Sequence, residues 1–260
     1  MKIVLTIAGS DPSAGAGIQQ DLKVATRLGC YGTTVVTALT TQNTMGVQDV
    51  MAVPGGTVES QLRSVLEDLR PDAIKIGQVP NREVMQVIAK ELRGLQVPIV
   101  LDPVMISTSG RRLMDEECVE LMKQGLFGLC TVVTPNLPET EQLTGRQIST
   151  PEDIETAGLE LCKTYGCNFL IKGGHGEGCK SVDVLFTTEE ESYEFESERL
   201  KTRNLHGTGC ALSTAIACGL AEGESVPDAV YEAVEFVHDA IASAVDLHIG
   251  HGNGPINVWD

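Results

Sequence analysis

What most constrains this chain is a cycle repeated along it. A short, nearly continuous apolar run is followed by a loop of glycine and polar residues, then by a segment with apolar residues at helical spacing. "KIVLTIA" (2–8) opens the first cycle, "GSDPSAGAG" ends it, and "IQQDLKVATRLG" (18–29) follows with Ile18, Leu22, Ala25 and Leu28 on one helical face. The pattern predicts further strands at "TTVVTAL" (33–39), "DAIKIG" (72–77), "VPIVLD" (97–102), "CTVVTPN" (130–136) and "NFLIKGG" (168–174). Helices are predicted at 58–69, at 81–92 with Asn81 as cap, at 115–126 and at 151–166. Strands apolar along their whole length, joined by helices of this size, imply a parallel sheet covered on both faces. Near the end, "VDVLFT" and "ESYEFESERL" read as an antiparallel pair, and 226–247 as a long amphipathic helix. No repeat or linker interrupts the 260 residues, so one α/β domain over 1–260 is expected.

The charge narrows the partners. A net charge of -17 repels nucleic acid and acidic membrane surfaces, which points to a small-molecule partner. Any phosphate site must then be built locally from backbone amides, a few basic side chains and metal ions. The eight cysteines form no CxxC pair and no zinc-type spacing with the five histidines, so most are expected to be buried thiols of a cytosolic protein. No apolar run approaches the ~20 residues of a membrane span.

In such folds ligands bind beyond the carboxyl ends of the strands, and there the polar loops gather: "AGSDPSAGAG", "TTQNT", "DPVM", "TPNLPE" and "KGGHGEG". Two familiar nucleotide motifs fail. "GHGEGCKS" has Cys179 where a Walker loop needs glycine, and neither "GAGIQQ" nor "GTGCAL" has the third glycine of a dinucleotide fingerprint. "HGTGCALSTAIACGL" does carry an anion-binding signature, because Gly207 and Gly209 allow a tight turn whose amides point along the start of a helix. Standing alone, the same letters also suit an ordinary helix start with Thr208 as cap and Cys210 packed inside.

Taken in order, "AGSDPSAGAGIQQDLK", "TTQNT", "DPVM", "TPNLPE", "KGGH" and "HGTGC" resemble the ribokinase-like vitamin kinases, closest to the hydroxymethylpyrimidine and hydroxymethylpyrimidine-phosphate kinases of thiamine biosynthesis. The resemblance implies a three-layer α/β/α fold with a mostly parallel central sheet. It also implies ATP and Mg2+, with room for a monovalent cation, a cytoplasmic homodimer, and a primary hydroxymethyl group as phosphoryl acceptor. The expected substrates are 4-amino-5-hydroxymethyl-2-methylpyrimidine and its monophosphate. A pyridoxal or pyridoxine kinase is the alternative, and a non-catalytic vitamin-binding protein of the same fold is the rival from another class.

Roles follow residue by residue from the resemblance. Cys210 occupies the place of ribokinase's aspartate base, at a helix start that lowers a thiol pKa while ATP charge opposes it. Backbone amides of Gly207, Thr208 and Gly209 would hold the transferring phosphoryl oxygens, and Lys172 would reach phosphate. Asn136 and Glu139 match an NxxE element that positions magnesium, with Asp102 as an added carboxylate. Either of the first two, read alone, also suits a helix cap. Gln42 can answer the adjacent donor and acceptor of an aminopyrimidine. Asp21 is expected near the substrate or on an exposed helix face, Gly9 leaves room for the ring, and Val104 lines the ring site. Gln42 with Lys172 and His175 favours the pyrimidine over pyridoxal. Gln78 and Thr41 depart from the family's usual methionine and alanine. The "GGHGEG" loop and 107–112 are expected lids.

Overall fold

The computed structural model describes residues 1–106, 110, 113–114, 117–174 and 179–259. In chain order the elements are β1 (Ile3–Ser10), α1 (Gly17–Arg27), β2 (Tyr31–Asn43), β3 (Gly46–Ala52), α2 (Gly55–Asp68), β4 (Ala73–Ile76), α3 (Arg82–Leu92), β5 (Ile99–Leu101), α4 (Glu117–Gly125), β6 (Val132–Val133), α5 (Leu137–Thr144), α6 (Pro151–Tyr165), β7 (Asn168–Ile171), β8 (Lys180–Phe186), β9 (Ser192–Glu198), α7 (Thr208–Glu222) and α8 (Val226–Ala242). The strands form one sheet in the order β3-β2-β1-β4-β5-β6-β7-β8-β9. From β2 through β7 neighbours run parallel, while β3, β8 and β9 are antiparallel additions at the two edges.

The period-two geometry of the strands divides the apolar residues between two cores. Leu5, Ile7, Ile74, Ile76, Ile99, Leu101, Val133, Phe169 and Ile171 face a core closed by residues of α2, α3, α4, α5 and α6. The intervening Val4, Ala73, Val100, Val132 and Leu170 face the opposite side, where α1, α7 and α8 pack. Phe127 anchors the first core, edge-on to Tyr165 at 4.9 Å and to Phe169 at 5.5 Å. Each fully buried side chain of this kind stabilises the fold by roughly 1.5–3 kcal/mol. Asn81 caps α3 as expected, accepting from the Val84 amide. Among the described residues no helix is long and apolar enough to cross a membrane.

Three expectations need correction. "TTQNT" is not a loop: β2 runs through Asn43 and turns into β3 as a hairpin, with an irregularity in register between Thr41 and Gln42. Asp21 does not lie on an exposed face: it is buried, because the face of α1 that carries it packs against the sheet and α7. The helix predicted over 226–247 ends at Ala242. His175 and most of both expected lids, 107–109, 111–112 and 175–178, lie outside the described residues.

Candidate active site

A cavity of about 640 Å³ opens at the carboxyl ends of the parallel strands, where an open α/β sheet binds its ligands. Its walls draw on the end of β1 (Gly9), the loop after it (Asp11) and the start of α1 (Gly17), on Gln42 of β2, and on residues that follow β4 (Gln78), β5 (Asp102, Val104), β6 (Asn136, Glu139) and β7 (Lys172). The start of α7 closes it with Gly207, Thr208, Gly209 and Cys210. Eleven of the twelve residues given a catalytic, binding or metal role by sequence line this one cavity, Asp21 being the exception; of the two departures, Gln78 lines it and Thr41 does not.

Glycine at 207 is required twice over. Its φ is 87°, and a Cβ there would lie 1.9 Å from the Gly15 carbonyl oxygen. Gly207, not Thr208, is the N-cap, so no side chain caps the helix. The first helical bond is donated by the Ala211 amide to the Gly207 carbonyl, and the Gly209 and Cys210 amides precede it. Both residues line the cavity, at the positive end of the helix dipole. A Cβ built on Gly209 would sit 3.2 Å from Asp102 Oδ2 and 3.5 Å from Lys172 Nζ, so that pair lies against the same first turn.

Lys172 Nζ donates to Asp102 Oδ1 at 2.8 Å, and Thr134 Oγ1 donates to the same oxygen at 3.3 Å. Burial disfavours charge on Lys172, but the Asp102 and Glu139 carboxylates more than offset it and hold the ammonium charged. Asn136 and Glu139 form a capping box: the Glu139 amide donates to Asn136 Oδ1 at 2.8 Å, and the Asn136 amide donates to Glu139 Oε2 at 2.8 Å. The helix-cap reading of Asn136 therefore holds together with a place in the cavity wall. Burial first, then the nearby Asp102, pushes the Glu139 carboxyl up to about 7 against the pull of Lys172.

Cys210 is half-buried, and burial pushes its thiol up to about 11. The expected lowering by the helix start is outweighed, because Asp21 and Asp102 add negative potential while Lys75 and the Gly17 amide act in the opposite direction. Lys75 was not singled out by sequence. Its Nζ donates to Asp21 Oδ1 at 3.0 Å and Oδ2 at 2.8 Å, and Thr214 Oγ1 donates to Oδ1 at 2.9 Å. The Asp21 carboxylate thus neutralises a lysine charge in the interior and takes no part in the cavity wall.

Directly before Gly207, the Gln42 amide meets His206, whose Nε2 is 2.8 Å from Asp11 Oδ2. Asp11 and His206 were missed because nothing local distinguishes them; Asp11 reads as a turn residue and His206 as a flank of the glycines. Gln78 fills the room at Gly9, where a Cβ would lie 2.1 Å from Gln78 Oε1. Its Nε2 is buried without a hydrogen-bond partner.

Comparison with known proteins places the chain among vitamin kinases. Residues 11–257 match the model of the phosphomethylpyrimidine kinase family. The hydroxymethylpyrimidine/phosphomethylpyrimidine kinase of Rhizobium meliloti is 43% identical over 256 residues, covering 98% of this chain and 96% of the relative. The chain spans about half, 51%, of the thiamine biosynthesis bifunctional protein ThiED of Geobacter sulfurreducens, at 43% identity over 98% of its own length. Among solved structures, phosphomethylpyrimidine kinase of Clostridium difficile superposes with a TM-score of 0.82 at 37% identity, covering 93% of this chain and 100% of that one. Pyridoxal kinase of Staphylococcus aureus in complex with ADP superposes at 0.89 and 34% identity, covering 99% and 93%. Fold and site together define a small-molecule kinase of the ribokinase-like class. Within that class the chain belongs to the phosphomethylpyrimidine kinase family.

Proposed function

We propose that this kinase transfers the γ-phosphoryl group of ATP to the hydroxymethyl group of 4-amino-5-hydroxymethyl-2-methylpyrimidine and to the phosphate of its monophosphate, in thiamine biosynthesis. The observation that carries this reading is that the Gln42 amide, the Cys210 thiol and the bare amide start of α7 line one cavity. Gln42 would hold the aminopyrimidine edge, with Val104 and Gly9 beside the ring. Leu205, Leu212, Val234 and Val237 also line the cavity, and apolar surface of this kind suits a flat nucleotide base.

Phosphoryl transfer depends on positioning and on charge stabilisation. The amides of Gly207, Thr208 and Gly209 would meet the phosphoryl oxygens where charge develops, and Lys172 would leave Asp102 to join them. Cys210 would take the acceptor proton. The ligand-free thiol is protonated at neutral pH, so only its ionised fraction can act, and Lys75 is the fixed charge that favours that fraction.

The residues present fit Mg2+ that arrives with the nucleotide. Asp102 and Glu139 offer hard carboxylate oxygens, and their crowding in a buried site is the negative excess a divalent ion relieves. Among the described residues no cluster of three ligating side chains occurs, which suits an ion completed by phosphate and water. Bound there, Mg2+ would supply charge neutralisation of the phosphates. Cytoplasmic location and a homodimer belong to the same proposal, on the resemblance alone.

ATP consumption with the aminopyrimidine, its monophosphate and pyridoxal tests the reading. A kcat/KM for the pyrimidines well above that for pyridoxal is expected. The reverse order would make this a pyridoxal kinase, consistent with the likeness to the Staphylococcus aureus structure.

A further inference from the structure

Asp11 is 2% exposed, and its carboxylate accepts on both oxygens. Oδ1 receives the Ser13 amide at 2.8 Å and the Ser13 hydroxyl at 2.7 Å; Oδ2 receives the amides of Gly15 at 3.2 Å and Ala16 at 2.9 Å. An acid so surrounded by donors is ionised and can only accept. Burial alone would raise it, but the bonds from His206 and Ser13 hold it below the usual carboxylate range. His206 Nε2, 2.8 Å from Oδ2, must therefore carry a proton. This holds for the neutral Nε2–H form and for the imidazolium alike.

The consequence passes to Gln42. The end of its amide placed as Nε2 is 3.1 Å from the same His206 nitrogen, and the end placed as Oε1 is turned to Thr40. With the amide nitrogen at that position two donors would face each other, whereas with the carbonyl oxygen there the Nε2 proton is shared between Asp11 and Gln42. The ends of a side-chain amide are distinguished by the bonds they make. The other end meets Thr40 Oγ1 at 3.3 Å, and the Thr40 proton already goes to the Ser10 carbonyl at 2.9 Å. That hydroxyl has lone pairs left and accepts from the amide nitrogen. Both ends agree.

We infer that the Asp11–His206 pair is a positioning device that turns the Gln42 carbonyl toward His206 and its amide nitrogen toward Thr40, and thereby selects rings with a hydrogen-bond donor next to the hydroxymethyl carbon. His206 directly precedes Gly207, so the acceptor end of Gln42 lies at the phosphoryl-transfer end of the cavity. In the aminopyrimidine the amine stands on the carbon adjacent to the one bearing the hydroxymethyl group, and the ring nitrogen beyond it is an acceptor. Donor and acceptor then fall in the order the amide requires. The 4-oxo ring, 5-hydroxymethyl-2-methylpyrimidin-4(3H)-one, presents the opposite order. This inference rests on the proposed pyrimidine substrate for its selectivity, though not for the hydrogen-bond polarity itself.

Two measurements test it. The first compares kcat/KM for the amino and oxo rings. The unmutated enzyme is expected to favour the amino ring by on the order of 100-fold, as for a site whose polar groups would be left mispaired. His206→Leu should collapse that preference to less than about 10-fold, mainly by raising KM for the amino ring with KM for ATP unchanged. His206→Gln, which can donate from a similar position, should restore it. An unchanged preference in folded His206→Leu, or an equal loss on both rings, would overturn the inference. The second measurement needs neither substrate nor variant: nitrogen-15 spectra of the ligand-free protein should show His206 Nε2 protonated, and a bare Nε2 would refute the polarity. If the enzyme used neither pyrimidine, the proposed function would fail while the imidazole spectrum still judged the device.

Discussion

Lys75 Nζ lies 2.8 Å from Asp21 Oδ2, and neither side chain has any exposed surface. Thr6 and Thr214 supply further donors to the same carboxylate, so the ion pair is saturated where water cannot reach it. It joins β1, β4, α1 and α7. Burial disfavours the Lys75 charge, and Asp21 more than restores it, so the lysine stays protonated at any working pH.

Breaking this pair from one side should be costly. Asp21→Asn keeps the shape but leaves a buried ammonium with no counter-charge, for which a loss of about 3–5 kcal/mol is expected. Urea unfolding measures it. Adding Lys75→Met to that variant should recover part of the loss, and a double variant no more stable than Asp21→Asn would mean that the charge is not the cause.

Cys210→Ser should fold, bind both substrates and lose on the order of 100-fold or more in single-turnover rate, the range for a missing general base. In the ligand-free enzyme, alkylation should strike exposed Cys179 first and Cys210 slowly, since the latter thiol is pushed up to about 11. Near-normal phosphorylation by the serine variant would reduce Cys210 to a packing residue.

Gln78→Met removes a buried amide nitrogen that has no partner. The ligand-free protein should gain about 1 kcal/mol in unfolding free energy, within the usual cost of an unsatisfied polar group. If that nitrogen bonds the ring, KM for the ring should rise about tenfold at the same time. A stability gain with KM unchanged would show that the amide only fills the space beside Gly9.

Alkaline pH should destabilise the fold. Burial raises Cys162 to about 11, Cys167 to about 12 and Cys210 to about 11, against an ordinary thiol value near 9. Below pH ~9 the thiols are protonated in both states and contribute no difference. Above it the unfolded chain releases protons that the folded chain retains, so stability falls as pH rises from ~9 toward ~11. Denaturant midpoints at pH 8, 9 and 10 should decline, and less steeply in Cys167→Ala.

The sheet and most of the cavity wall were legible because both are written locally. Apolar runs such as "VPIVLD" end at their functional loops, and Asn136 and Glu139 stand three apart in the spacing of a capping box. The hairpin of β2 and β3 was not legible: "GVQDVMA", at the sheet edge, interrupts its apolar residues with Gln48 and Asp49, and "TTQNT" carries turn-forming letters inside an extended run. Asp21 and Lys75 are 54 residues apart, and Asp11 and His206 are 195 apart. Such pairs exist only once the parallel strands bring their loops together, and no local pattern announces them.

Ten of the fifteen residues of α7 are buried between the sheet and α8. Its opening amides, at Gly209 and Cys210, have no bond from the helix they begin. Amide hydrogen exchange along this one helix should therefore span the full range of the molecule, fast at the first turn and limited by global opening from Ile216 to Leu220. A rigid, inaccessible shaft thus presents an opening turn that exchanges its protons freely while the rest of the helix holds them.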